Sequence, residues 1–141
     1  MKNVWLSRKM FLKLFKYVPR VGVNVLIKTR NGIVLSKRAI PPHKGYWHIP
    51  GSFLLKGEKL EEACKRVGKV ELGIKIKVMK LLSVNETFKD TRGHIIDLNF
   101  LCKKVSGDFE PDKNTLEIQV FKKIPKKIFP QHDLYFKEAM K

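Results

Sequence analysis

The stretch Pro50-Gly51-Ser52-Phe53-Leu54-Leu55-Lys56-Gly57-Glu58 and the segment that closes it, Arg66-Val67-Gly68-Lys69-Val70-Glu71-Leu72-Gly73-Ile74, decide how this chain is read. Between them, Leu60, Ala63, Cys64, Val67 and Glu71 recur at helical spacing, and Gly73 stands where a helix stop is expected. The spacing therefore predicts a loop and a helix over Lys59–Leu72. A glycine loop lets backbone come close to a phosphate or a cation. The helix that follows can present an acidic side chain to the same point, so loop and helix together make a candidate cation site.

Working outward, Val21–Thr29 is a β-branched run, Arg30-Asn31-Gly32 supplies a turn tolerant of positive φ, and Ile33–Ala39 returns as a second strand. Ile40–Gly51 carries Pro41, Pro42 and Pro50 and is expected to be an irregular loop, since proline removes a ladder donor. Residues 1–18 place apolar side chains from Trp5 to Val18 at amphipathic helical spacing, with Ser7 as N-cap and Pro19 as the stop. Downstream, strands are expected at about Lys75–Phe88, His94–Val105 and Leu116–Lys123, and a final helix over Pro130–Lys141. That order implies one domain spanning 1–141, of α+β class, with helices layered on a sheet.

Charge narrows the partner. Thirty Lys and Arg against thirteen Asp and Glu give +17 over 141 residues, a field that concentrates anions. The ligand is expected to be a small anionic nucleotide or, as second choice, nucleic acid; a merely solvated lysine surface is the plain alternative. Cys64 and Cys102 have neither CxxC spacing nor a neighbouring His, which points to buried thiols rather than zinc or a disulfide. No apolar run approaches the roughly 20 residues of a membrane span, so a soluble, cytoplasmic protein is expected.

The loop and helix resemble a Nudix box, the loop–helix–loop that binds Mg²⁺ and a diphosphate in that superfamily, here spanning Gly51–Ile74. Glu58, Arg66, Glu71, Gly73 and Ile74 match its pattern; Ser52, Val67, Gly68 and Val70 depart from it, and two of those replace carboxylates. The same losses, together with Lys37-Arg38, Gly45-Tyr46-Trp47-His48-Ile49-Pro50-Gly51 and a helix leading into Val18-Pro19, are similar to the GDP-mannose mannosyl hydrolase branch over about residues 6–105. The resemblance implies a Nudix fold, an α/β/α sandwich around a mixed β-sheet, with Mg²⁺ on the Gly51 carbonyl and the Glu71 carboxylate. It also implies Arg38 and Arg66 on the phosphates, water attack at the sugar carbon, and by analogy a homodimer through the N-terminal helix.

Departures touch the site as well. Phe53 stands where that branch has an Arg for the diphosphate, Asn24 where it has an Asp, and the region expected to supply a His base, Asp112–Phe121, has none. His94, Glu117 and Glu86 are the proton acceptors left for consideration. Tyr46 and Trp47 either stack on a base or cover the core, Arg66 either neutralises phosphate or pairs with Glu58 or Glu62, and His43, His48 and His132 read as surface or loop residues. The leading function is a Mg²⁺-dependent hydrolase of a nucleotide sugar. The alternatives are a non-catalytic nucleotide- or RNA-binding module and, last, attack at phosphorus on a nucleoside triphosphate.

Overall fold

In the structure, a computed structural model describing residues 5–141 apart from the side chain of Lys89, the apolar run becomes β1 (Arg20–Thr29) at the centre of a mixed sheet. Around it, in chain order, are α1 (Arg8–Leu14), β2 (Gly32–Arg38), β3 (Trp47–His48), β4 (Gly51–Phe53), α2 (Leu60–Leu72), β5 (Lys75–Asp90), β6 (Gly93–Ser106), β7 (Thr115–Phe121) and α3 (His132–Met140). The sheet runs β3-β2-β1-β6-β5, with β4 also on β1 and β7 also on β2. Strands β1 and β6 are parallel, from Arg20 opposite Ile95 to Ile27 opposite Cys102, while β4, β5 and β7 pair antiparallel.

Alternation along β1 builds the layers. Val23, Val25 and Ile27 face Ala63, Cys64, Val67 and Leu72 of α2, whereas Leu26 turns to Tyr135, Phe136 and Ala139 of α3 on the other side. A strand covered on both faces reads as a near-continuous apolar run, which is why its sequence shows little polar alternation. The α/β/α sandwich around a mixed sheet, expected from the resemblance, is what the chain forms.

Helix α2 ends as its sequence demands: Gly73 adopts φ 70° and its N–H bonds to Lys69 O at 3.1 Å. Gly68, which replaces an apolar residue of the motif, brings the helix close to β5; a Cβ there would lie 3.0 Å from Ile76 Cγ2. Cys64 and Cys102 are buried and free. Among the described residues no helix is long and apolar enough to cross a membrane.

Two expectations are corrected. The N-terminal helix covers only Arg8–Leu14, although Ser7 does cap it by accepting from Met10 N at 3.2 Å; residues 1–4 lie outside the described residues. Val18 precedes proline and is disfavoured in the α conformation, so the chain leaves the helix early. Ile40–Gly51 is not wholly irregular either, because Trp47 and His48 pair with Lys37 and Ser36. The prolines lie outside those two residues and leave their ladder donors free.

Candidate functional site

One face of β4, β1, β6 and β5 floors a cleft of about 470 Å³. Register places two rows across it: Phe53, Gly22, Asp97 and Asn85, then Gly51, Asn24, Asn99 and Ser83. The second row is a relay of amides. Asn24 Nδ2 donates to Asn99 Oδ1 at 2.9 Å and Asn99 Nδ2 to Ser83 Oγ at 3.1 Å. In the first row Gly22 leaves space that a side chain would fill, since a Cβ there would lie 2.5 Å from Asp97 Oδ1.

The segment 51–74 forms one wall. Arg66 donates from Nε and Nη2 to Glu58 at 2.7 and 2.9 Å, from Nη1 to Ser52 Oγ at 3.1 Å and from Nη2 to Phe53 O at 3.0 Å. Glu58 also accepts from Leu55 N at 3.1 Å, and the guanidinium beside it holds its carboxyl below the usual range. The pair locks the loop to α2, and Glu58 rather than Glu62 is the partner. Val67 is only 1% exposed and belongs to the core, whereas Val70 is 57% exposed. The two lost carboxylates therefore belong to very different places.

Glu71 stands apart from that locked pair. Its Oε2 is buried without a hydrogen-bond partner. Burial first, and then the charge of Asp112, push its carboxyl up to about 8, against the opposing pull of Arg66, Arg38 and the Gly51 backbone. An orphaned hard oxygen beside a second carboxylate is a setting that a divalent cation relieves. Mg²⁺ commonly takes one or two carboxylates and fills its other positions with water and phosphate. Glu71 and Gly51, with Asp112 near, fit that ion. Among the described residues no three His, Cys, Asp or Glu side chains converge, so a cage built wholly of side chains is not formed.

The opposite wall is cationic. Arg38 donates to Pro42 O at 2.6 Å and Pro41 O at 3.2 Å, and its guanidinium lies 5.1 Å from the Phe129 ring centroid. Arg92, in the β5–β6 turn, grips both oxygens of Asp90 at 2.9 Å and lies 5.3 Å over Phe53 and 5.7 Å from Phe129. Burial, then repulsion from Arg92, lowers Arg38 to about 10, against the opposing pull of Glu71 and Asp90. Arg20 lies next to this group, 3% exposed, with its three guanidinium nitrogens unpaired among Phe11, Phe15 and Phe53.

Beneath Phe129, His132 Nδ1 accepts the Ile49 N–H at 2.9 Å, which leaves its proton on Nε2, and His48 Nε2 meets Ser36 Oγ at 3.0 Å. Burial is the main cause that holds both rings neutral, lowering His132 to about 3 and His48 well below its usual value. Each is 8% exposed, which corrects their reading as surface residues.

Of the residues singled out in sequence, Asn24, Arg38, Gly51 and Glu71 line this cleft together. The others lie elsewhere. Arg66 is spent on Glu58; Trp47 packs edge-on to Phe121 at 4.8 Å in the second core cluster; Tyr46 is half-buried beside His43. His94 stacks on Phe88 at 4.4 Å with its Nε2 buried and unpaired, next to the α1–β1 connection. Glu117 sits on β7 opposite Lys37 with Gln119 donating to it, and Glu86 is exposed on β5. Asp90, Arg92, Asp97 and His132 line the cleft without having been singled out as site residues. A signal for the floor existed: Gly22-x-Asn24 and Asp97-x-Asn99 interrupt two otherwise apolar strands at period two.

The profile of the NUDIX domain family matches residues 18–140. An ADP-ribose pyrophosphatase of Methanocaldococcus jannaschii is 35% identical over 126 residues, covering 87% of this chain and 74% of that protein. The low-salt glycan biosynthesis protein Agl8 of Haloferax volcanii is 30% identical over 111 residues, covering 74% and 71%. A NUDIX hydrolase from Nitrosomonas europaea superposes with a TM-score of 0.74 at 27% identity, covering 84% of this chain and 68% of that one.

Proposed function

The chain belongs to the Nudix family, and from that premise we propose that it is a Mg²⁺-dependent hydrolase of a nucleoside diphosphate derivative, with a nucleotide sugar of the GDP-mannose kind as substrate. The observation that carries this reading is the orphaned Glu71 Oε2, set against Gly51 in a cleft rimmed by Arg38 and Arg92. Glu71 and the Gly51 carbonyl hold the cation, with Asp112 as a neighbouring carboxylate. The bound cation supplies positive charge to the diphosphate oxygens. Arg38 and Arg92 bind the same diphosphate from the other side and stabilise charge that develops as it departs.

Arg66 acts in this reading through Glu58, holding the Gly51 loop in place, and reaches the phosphates only as a nearby charge. His94 and Glu117 have no observation in the cleft to support them as proton acceptors. The relatives named for ADP-ribose and for glycan biosynthesis support the class, since ADP-ribose is itself a nucleoside diphosphate joined to a sugar. The outer side of α1, with Met10 51% and Leu14 45% exposed, and Trp5 just before it, 65% exposed, is the surface for the proposed homodimer.

Product analysis with Mg²⁺ and a panel of GDP-, UDP- and ADP-linked sugars tests the reading. In water enriched in ¹⁸O, nucleoside diphosphate released with the label in the sugar marks attack at the sugar carbon, and nucleoside monophosphate marks attack at phosphorus within the diphosphate. Glu71→Gln is expected to lower turnover by roughly 10²-fold or more. No product, combined with no rise in melting temperature from Mg²⁺ or any nucleotide sugar, would sink it. A second reading, a binding module for RNA, draws on the lysines at 122, 123, 137 and 141 around a shallow hollow beside α3. Steep salt dependence of oligonucleotide binding that ignores Glu71→Gln would favour that alternative.

A further inference from the structure

Asp97 plays no part in holding metal or phosphate as described above, yet it is a carboxylate on the floor of the same cleft. Three features set it there. Gly22 across the β1–β6 pair has no side chain, and the Asp97 Oδ1 occupies the space a Cβ would need, 2.5 Å from that position. Tyr135 of α3 donates to its Oδ2 at 2.9 Å, and Asn85 of β5 donates to that tyrosine's hydroxyl at 3.0 Å. Asn85 and Thr87 also hold Gln131 Oε1, at 2.8 and 2.6 Å, at the N-terminal edge of the same helix. Two strands and a helix thus fix one carboxylate in the lining of the cleft, with Tyr135 on Oδ2 and Oδ1 seated over Gly22.

Three other acceptors of the cleft already have a place. Asp90 accepts from Arg92 N, Nε and Nη2 at 2.8, 2.9 and 2.9 Å. Glu71 belongs to Gly51, and His132 Nδ1 is used by Ile49 N–H. Asp97 lies two strands and one register row from Gly51. With strands about 4.8 Å apart and about 3.3 Å of rise per residue, that is roughly 12 Å between Cα atoms. That spacing between Gly51 and Asp97 leaves room for a diphosphate to lie across the cleft between them. A carboxylate repels that diphosphate and binds instead a neutral, donor-rich group attached to it.

We infer that Asp97 is a specificity-determining residue that accepts hydrogen bonds from the hydroxyl groups of the sugar carried beyond the diphosphate. The inference rests on the function proposed above and adds the group that reads the sugar. Asn24 and Gln131 lie within the same cleft and extend the polar surface around it. Burial raises the Asp97 carboxyl from its usual range, against the pull of Tyr135, Arg92 and Asn24, and a sugar hydroxyl donating to it offsets that lost solvation.

The test measures binding and KM with Mg²⁺ present, comparing one turned-over nucleotide sugar with its own nucleoside diphosphate. Asp97→Asn is expected to weaken the nucleotide sugar roughly ten- to hundredfold, the worth of one hydrogen bond to a charged group, and to leave the nucleoside diphosphate within about twofold. Equal loss for both ligands, or loss for neither, overturns the inference while leaving the hydrolase reading intact. Should Asp97→Asn not fold, Gly22→Ala serves instead, because its Cβ displaces Oδ1; the same selective loss supports the inference and unaltered selectivity overturns it. A wild-type protein that binds neither ligand overturns the functional premise itself, and this inference with it.

Discussion

On the wall built from residues 51–74, charged side chains are bound to one another: Arg66 spends four hydrogen bonds on Glu58, Ser52 and Phe53 O. On the wall built from the β5–β6 turn and β6, Arg92 holds Asp90 two residues away, and Asp97 accepts from the neutral hydroxyl of Tyr135 on α3. Part of the segment that carries the family pattern has become scaffold, with Glu71 left holding one oxygen without a partner. The segment without a pattern lines the cleft with Asp90, Arg92 and Asp97. The position of Phe53 shows the exchange: the cation absent there in sequence returns in space, as the Arg92 guanidinium 5.3 Å above its ring.

Substitutions that separate the two walls should break or sharpen this contrast. Arg66→Ala strands Glu58, whose side chain is 4% exposed, and is expected to cost about 3–5 kcal/mol of stability in urea unfolding. A loss below about 1 kcal/mol would mean that the box wall is not scaffold. Arg92→Lys keeps the charge and loses the planar fork; nucleoside diphosphate affinity by calorimetry should fall about tenfold, near 1.4 kcal/mol, with less effect on stability than Arg66→Ala. Unaltered affinity would move the phosphate away from the β5–β6 turn.

Smaller effects follow from the buried imidazoles. His132 titrates near 3 when folded and near 6.5 when unfolded, so below pH 6.5 the unfolded chain binds a proton that the folded chain refuses. Its contribution is fully present above pH 6.5 and declines as pH falls toward 3, by about 1.4 kcal/mol per pH unit. His132→Gln should flatten the acid limb of a stability profile measured over that window; an unchanged limb would show that the ring is not held neutral. Val70→Glu restores a motif carboxylate at a site 57% exposed and should alter stability by less than about 0.5 kcal/mol.

Much of the fold was legible because it is written in local period and punctuation. Asn31-Gly32 made the hairpin turn, Gly73 ended α2, and the β5–β6 turn fell within Lys89-Asp90-Thr91-Arg92-Gly93, which reads as one. The site was legible only where a motif preserved it. Gly51 and Glu71 are separated by a loop and one helix, so their meeting is nearly local. Asp97 with Tyr135, or Ile49 with His132, are joined across 38 and 83 residues, and no local period reports such a pairing.

By itself the sequence determined the elements, the layered α+β class and the loop–helix that places Glu71 beside Gly51, since these follow from propensity, period and short-range geometry. Tertiary structure alone decided what each polar side chain is for. Register between β1 and β6 set Gly22 against Asp97 and so left room for its carboxylate, and the α2 face that carries Val67 went to the core while Val70 went to solvent. Partnering and burial depend on chain segments distant in sequence, and they determine whether a charge serves as scaffold, as ligand contact or as neither.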